Sequence, residues 1–166
     1  MKPTPPTLDE HQIGLEARAA HDDHLAVRTW LRLLSLTTQV EQEIRTRLRE
    51  RFGTSLARFD YLAQLERHAD GLRMSALSRF LMVTGGNVTG LTTQLEAEGL
   101  VERLADPEDR RSWRVRLTPR GRDEFAAMAG EHEQWLQALF EPVSPREQQQ
   151  LYELLGTVRH RLAQRN

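Results

Sequence analysis

Apolar residues recur along most of this chain at three- and four-residue steps, broken only where turn formers gather, so the pattern predicts a mainly helical protein. Leu33, Leu36, Val40, Ile44 and Leu48 mark one face of a first helix over 23–51. Leu25, Trp30, Leu31 and Leu34 widen the apolar surface of its first half. A surface that broad needs more cover than one small domain gives, which implies a partner helix. Gly53 ends this helix and Ser55 begins the next, with Leu56, Phe59, Leu62 and Leu65 inside. Met74, Leu77 and Leu81 then stand at i, i+3 and i+7, as do Val88, Leu91 and Leu95. Val83-Thr84-Gly85-Gly86 between them is a tight turn that opens the second helix, with Thr84 as its N-cap.

The period changes after that pair. Arg114-Val115-Arg116-Leu117 alternates polar and apolar, a half-buried strand, with Val101 to Leu104 as its partner; a further short strand lies just after Asp70. Thr118-Pro119 offers an N-cap with proline at the first helical position. Phe125, Met128, His132, Trp135 and Leu139 continue at alternating three- and four-residue steps until Pro142. Ser144-Pro145-Arg146-Glu147 is a capping box that starts a last helix, lined by Leu151, Leu154, Val158 and Leu162.

Candidate chemistry lies on the second helix of the central pair. At about 100° per residue, Val88, Leu91 and Leu95 fall within roughly 60° and form a core side. The opposite side carries Gly86, Thr89, Gly90, Thr93 and Ala97, with Asn87 and Gln94 on one flank. A solvated helix face is normally filled with Lys, Glu and Arg, whereas this one is small and uncharged. An α-helix fits the major groove of B-DNA, where Thr, Asn and Gln meet base edges. The competing explanation is a weak helix packed against another part of the protein. The connection Ala105-Asp106-Pro107-Glu108-Asp109-Arg110-Arg111-Ser112 is an exposed loop whose arginines could enter a narrow minor groove, with Asp109 bracing one of them. By itself, a loop of this kind also reads as an ordinary charged turn.

Taken in order, Gly71 to Leu77 (G-L-x-M-x-x-L), Val88 to Arg103 (V-T-x-x-x-x-L-E-x-E-G-L-V-x-R), Asp106 to Ser112 (D-P-x-D-R-R-S) and Leu117 to Gly121 (L-T-P-x-G) resemble the winged helix–turn–helix of the MarR family of bacterial transcriptional regulators. The resemblance implies a mainly α fold with a small β-wing, the helix near Gly85 to Glu98 as recognition helix, Arg111 as the minor-groove arginine and Asp109 as its partner. Ser75, Thr84, Gly86, Asn87, Thr89, Gly90, Thr93, Gln94, Asp109, Arg110 and Arg111 are the expected DNA-binding residues. Gly90 departs from the pattern, in which a larger polar or basic side chain is common. The implied layout is an N-terminal extension (1–22), a DNA-binding region (53–123) and a helical dimerisation region from both ends (23–52 and 124–166), all in one structural domain.

Composition narrows the picture. With 166 residues the chain can hold one real core, and with no cysteine it has neither disulfides nor a thiol switch. No run approaches the ~18 apolar residues of a membrane span, and the N-terminus lacks a signal-peptide core, so a soluble cytoplasmic protein is expected. The net charge of −1 argues at first against nucleic acid. Distribution matters more: residues 101–122 hold seven arginines against four acids, while the first 24 residues hold five acids against Lys2 and Arg18. His21-x-x-His24 has metal-like spacing but no convincing third ligand, so no metal or cofactor is assigned. No phosphate loop or nucleophile elbow is present, and an enzyme is not expected.

The resemblance further implies a homodimer on a palindromic operator and repression by occlusion. It also implies release by a small aromatic acid or aromatic acyl-CoA, as in regulators of aromatic-compound catabolism. Candidate ligand residues are His21, His24, Arg28, Trp30, Phe59 and His132, whose cationic and aromatic groups suit a ring-bearing carboxylate. The alternative is a winged-helix module used only for protein contact.

Overall fold

The structure, a computed structural model, describes residues 24–82, 84–107, 109 and 112–164. Its contacts divide the chain into two compact units, Met1–Leu56 and Ala57–Asn166. The first is built on one long helix, α1 (Leu25–Phe52), which ends where Gly53 takes the left-handed C-cap conformation and returns its N–H to Arg49 O at 3.0 Å. Of the five apolar positions on its predicted face, Ile44 and Leu48 are buried, whereas Leu36 is 42% exposed and Trp30, on the widening stripe, 60%. Among the described residues the first half of α1 therefore has Leu25, Trp30 and Leu36 exposed, with Leu31, Leu33 and Leu34 only partly covered.

The second unit contains α2 (Leu56–Glu66), β1 (Leu72–Arg73), α3 (Met74–Phe80), α4 (Gly85–Ala97), β2 (Val101–Ala105), β3 (Trp113–Leu117), α5 (Pro119–Phe140) and α6 (Pro145–Ala163). The sheet is antiparallel in the order β1-β3-β2, with Leu72 opposite Val115 and Val101 opposite Leu117. Its inward residues Val101, Val115 and Leu117 join Leu62, Leu65, Leu77, Val88, Leu95, Leu100 and Met128 in the core. Burying such side chains is worth about 1.5–3 kcal/mol each, which makes this helix–sheet layer the stable centre of the unit.

Two glycines of the sequence motifs are fixed by this packing. Gly71 has φ +80°, and a Cβ there would lie 2.8 Å from Val115 O. At Gly121 a Cβ would come within 2.0 Å of Leu100 O, so only glycine lets the first turn of α5 rest on the chain before β2. Thr118 caps that turn, accepting the Gly121 N–H at 3.0 Å, with Pro119 at the first helical position. The capping box of α6 also forms: Ser144 Oγ accepts from Glu147 N, and the Glu147 carboxylate accepts from Ser144 N at 3.0 Å. The Ser144 hydroxyl, donating to Glu147 Oε2 at 2.6 Å, and the Ser144 backbone N–H together lower the Glu147 pKa from its usual value. Thr84 differs from expectation. Its backbone takes the N-cap conformation of α4, but its hydroxyl makes no capping bond.

Helix α6 has no buried residue, and Tyr152, Leu154, Leu155, Val158 and Leu162 are exposed along it. Among the described residues no helix is long and apolar enough to cross a membrane, and no cluster of three metal-ligating side chains occurs.

Candidate nucleic-acid interface

Helix α4 turns Val88, Thr92 and Leu95 into the core and leaves Thr84, Gly85, Gly86, Asn87, Thr89, Gly90, Thr93, Gln94 and Ala97 exposed. The predicted small, uncharged face is therefore an outer surface of this unit, not a packing seam within it. A Cβ added at Gly85, Gly86 or Gly90 would meet nothing within 4 Å. Thr89 Oγ1 donates to Gly85 O and Thr93 Oγ1 to Thr89 O, both at 3.0 Å. Thr93 also accepts from Arg103 at 2.9 Å. Ser75, on α3, is likewise exposed, and its carbonyl accepts from Ser78 Oγ at 3.0 Å.

Thr92 is a core residue that the apolar pattern passes over, although its spacing gives it away, since it lies one turn beyond Val88 on the same side. Fully buried, it donates to Val88 O at 2.7 Å and lies 2.6 Å from the Tyr61 hydroxyl. This bond ties α4 to α2. Burial pushes the Tyr61 phenol up to about 12, so it stays neutral and available as the donor. A second tie runs from Arg58 on α2 to Glu98 at the end of α4. It is bidentate, with one arm at 2.7 Å. The Glu98 carboxylate raises the Arg58 pKa, and the guanidinium lowers that of Glu98.

The wing is organised by a residue outside the predicted contacts. Asp106 is 2% exposed, although it follows the last residue of β2 in a loop. Its carboxylate accepts from Arg73 Nε at 2.6 Å and Arg114 Nε at 2.9 Å, and from the backbone N–H of Asp109 at 3.3 Å. Arg73 is both the end of β1 and the N-cap of α3, so one acid joins the helix pair, the central strand and the start of the wing tip. Asp109 accepts from Ser112 Oγ at 2.7 Å, and its carbonyl accepts from Ser112 N at 2.8 Å, which closes the loop. Arg110 and Arg111 lie outside the described residues.

The seven-to-four excess of arginine over acid over residues 101–122 overstates the free charge. Arg114 is held by Asp106, Arg116 by Glu102 directly across the strand pair at 2.7 Å, and Arg103 by Glu96 at 3.4 Å. Much of the basic run therefore fastens strand to strand and strand to helix, and Arg120 and Arg122 remain on the exposed start of α5.

The candidate ligand residues fall in different places. His24, Arg28 and Trp30 are exposed in the first unit, and His21 lies outside the described residues. Phe59 and His132 do come together in the second unit, with ring centroids 4.7 Å apart, and Phe125 lies 5.5 Å from Phe59. Burial lowers the His132 pKa and favours its neutral form.

Comparison with known proteins gives these surfaces a setting. A MarR family model matches residues 54–113, from α2 to the start of β3. The uncharacterized HTH-type transcriptional regulator YdgJ of Bacillus subtilis is 33% identical over 110 residues, 66% of this chain and just under two thirds (66%) of that relative. The crystal structure of a MarR family transcriptional regulator from Silicibacter pomeroyi is 32% identical with a TM-score of 0.70, covering 89% of this chain and all (100%) of that one. Sco3205 of Streptomyces coelicolor, a MarR family transcriptional regulator solved in complex with DNA, shares the fold at a TM-score of 0.71 and 23% identity, over 84% of this chain and 89% of its own.

Proposed function

Since the chain belongs to the MarR family and is a DNA-binding transcriptional regulator, we propose that it acts as a homodimeric repressor of an aromatic-compound catabolic operon. A small aromatic acid or its acyl-CoA thioester releases it from its operator. The observation that carries the DNA contact is the exposed, uncharged face of α4, where three glycines have open space before them. This face enters the major groove. Ser75 and Thr84 lie toward the backbone, and the wing tip, with Asp109, Arg110 and Arg111, reaches the adjacent minor groove.

Dimerisation is supported by apolar side chains that stand exposed among the described residues. They lie along α6 at Tyr152, Leu154, Leu155, Val158 and Leu162 and on the first half of α1 at Leu25, Val27 and Trp30. A two-fold pair would set two α4 helices about 34 Å apart and so select a palindrome. Within the second unit, Phe59 and His132 offer a ring-stacking wall for an aromatic effector. An effector acts only by favouring one spacing of the reading heads over the other.

Gel shifts with duplex DNA test the reading. Arg111→Ala and Thr93→Ala should each weaken specific binding, and unaltered binding by both would leave the wing and helix without the assigned role. Aromatic acids and their CoA esters, titrated against the complex, should include one that releases DNA. If none does, derepression by this class is wrong.

A further inference from the structure

Resting on the DNA-binding reading, we propose that the outer face of α4 selects A·T base pairs: Asn87 and Gln94 read adenine, and the Thr89 and Thr93 methyls meet thymine. Guanine is read in the major groove chiefly by Arg or Lys donating to O6 and N7. From Gly85 to Ala97 there is neither, and the guanidinium beside this face, that of Arg103, is engaged by Thr93 Oγ1 at 2.9 Å and by Glu96 at 3.4 Å. Cytosine is read by a carboxylate that accepts from N4. The one acid of α4, Glu96, is ion-paired to Arg103, its carboxylate 3.4 Å from Nε.

Threonine hydroxyls could otherwise donate to guanine, but here both hydrogens are committed to the helix backbone, at Gly85 O and Thr89 O. What Thr89 presents to a partner is a γ-methyl and residual acceptor capacity, whereas Thr93, which also accepts from Arg103 at 2.9 Å, presents chiefly its γ-methyl. The thymine C5 methyl is the apolar group in the major groove that a methyl can cover. Gly86 and Gly90, where even a Cβ would meet nothing within 4 Å, let the backbone approach closely enough for such short groups to reach.

The amides carry the polar part. Asn87 and Gln94 are exposed and seven residues apart, hence on one side of the helix. The rise between them is about 10.5 Å, which corresponds to about three base pairs at 3.4 Å each. Bidentate amide contact is the geometry that matches adenine N6 and N7. The expected half-site therefore has two adenines spaced by about three pairs, flanked by thymines.

Selection of duplexes by the full chain from a random-sequence pool tests this, followed by titration of the winning duplex. Enriched half-sites should be A·T-rich at the α4 contact. Replacing their thymines by deoxyuridine should weaken binding about four-fold per contacted methyl. Asn87→Ala and Gln94→Ala should each relax one adenine position, lowering its discrimination tenfold or more. Half-sites with guanine at these positions, or binding indifferent to deoxyuridine, would overturn the assignment while leaving DNA binding intact. A pool that yields no enriched duplex would overturn the DNA-binding reading and this inference with it.

Discussion

In the wing nearly every described charged side chain is tied to another, whereas the outer face of α4 beside it holds no charge and few partners. Asp106 gathers Arg73 and Arg114, Glu102 pairs with Arg116, and Glu96 pairs with Arg103. The same contrast holds for glycine. Gly71 and Gly121 are glycine because backbone occupies the place of a side chain, while Gly85, Gly86 and Gly90 face open space. Charge in the wing base thus serves to hold a shape. Apart from the bond from Arg103 to Thr93, the helix face makes no side-chain tie to the rest of its unit among the described residues, although a mid-helix glycine is costly by about 0.5–1 kcal/mol relative to alanine. A surface kept small at the expense of helix stability is one meant for close approach by something else.

The contrast can be broken from the committed side first. Gly121→Ala drives a Cβ against Leu100 O and should cost about 3 kcal/mol or more, seen as a lowered midpoint in urea with unchanged slope. Asp106→Ala leaves two arginines facing a site from which the acid is fully removed. Because both arginines retain some access to water, the loss should be about 3 kcal/mol, the low end for a broken buried pair. Specific DNA binding should fall more than stability does, since the Asp109 backbone loses its anchor. On the open side the sign reverses. Gly90→Ala should stabilise the protein by about 0.5–1 kcal/mol in the same assay.

The smallest expected effect concerns acid. Arg58 keeps the Glu98 pKa below its usual value, so the pair's contribution is full above the ordinary Glu value and is lost as pH falls through the lowered one. Glu98 is well exposed, so the contribution is about 0.5 kcal/mol. Glu98→Gln should lower stability by that amount at pH 7, with the difference from the parent shrinking as pH falls through the lowered Glu98 value.

Much of this layout is legible in the chain. Period-three-and-four spacing locates the helices, Thr118-Pro119 and Ser144 through Glu147 announce their caps, and alternation over Arg114–Leu117 marks the central strand. The uncharged side of α4 is readable because one helix turn fixes which residues share a face. Asp106 is not legible as a core residue. Its burial depends on Arg73, 33 residues away in sequence, and on loop closure through Ser112, neither of which has a local signature. Counting arginines misjudges the basic patch for the same reason, because pairing across strands depends on register. Thr84 shows the limit of composition at caps: the residue type and backbone suit, but the hydroxyl takes no part.

The central claim is that the open face of α4 is where DNA binds, and Gly90→Glu tests it most directly. Nothing lies within 4 Å of a Cβ at this position, so the variant should fold with a thermal midpoint near the parent's. Its carboxylate would face phosphates and base edges, and fluorescence anisotropy with a selected duplex should show specific binding abolished. A folded Gly90→Glu protein that binds that duplex with parental affinity would contradict the account.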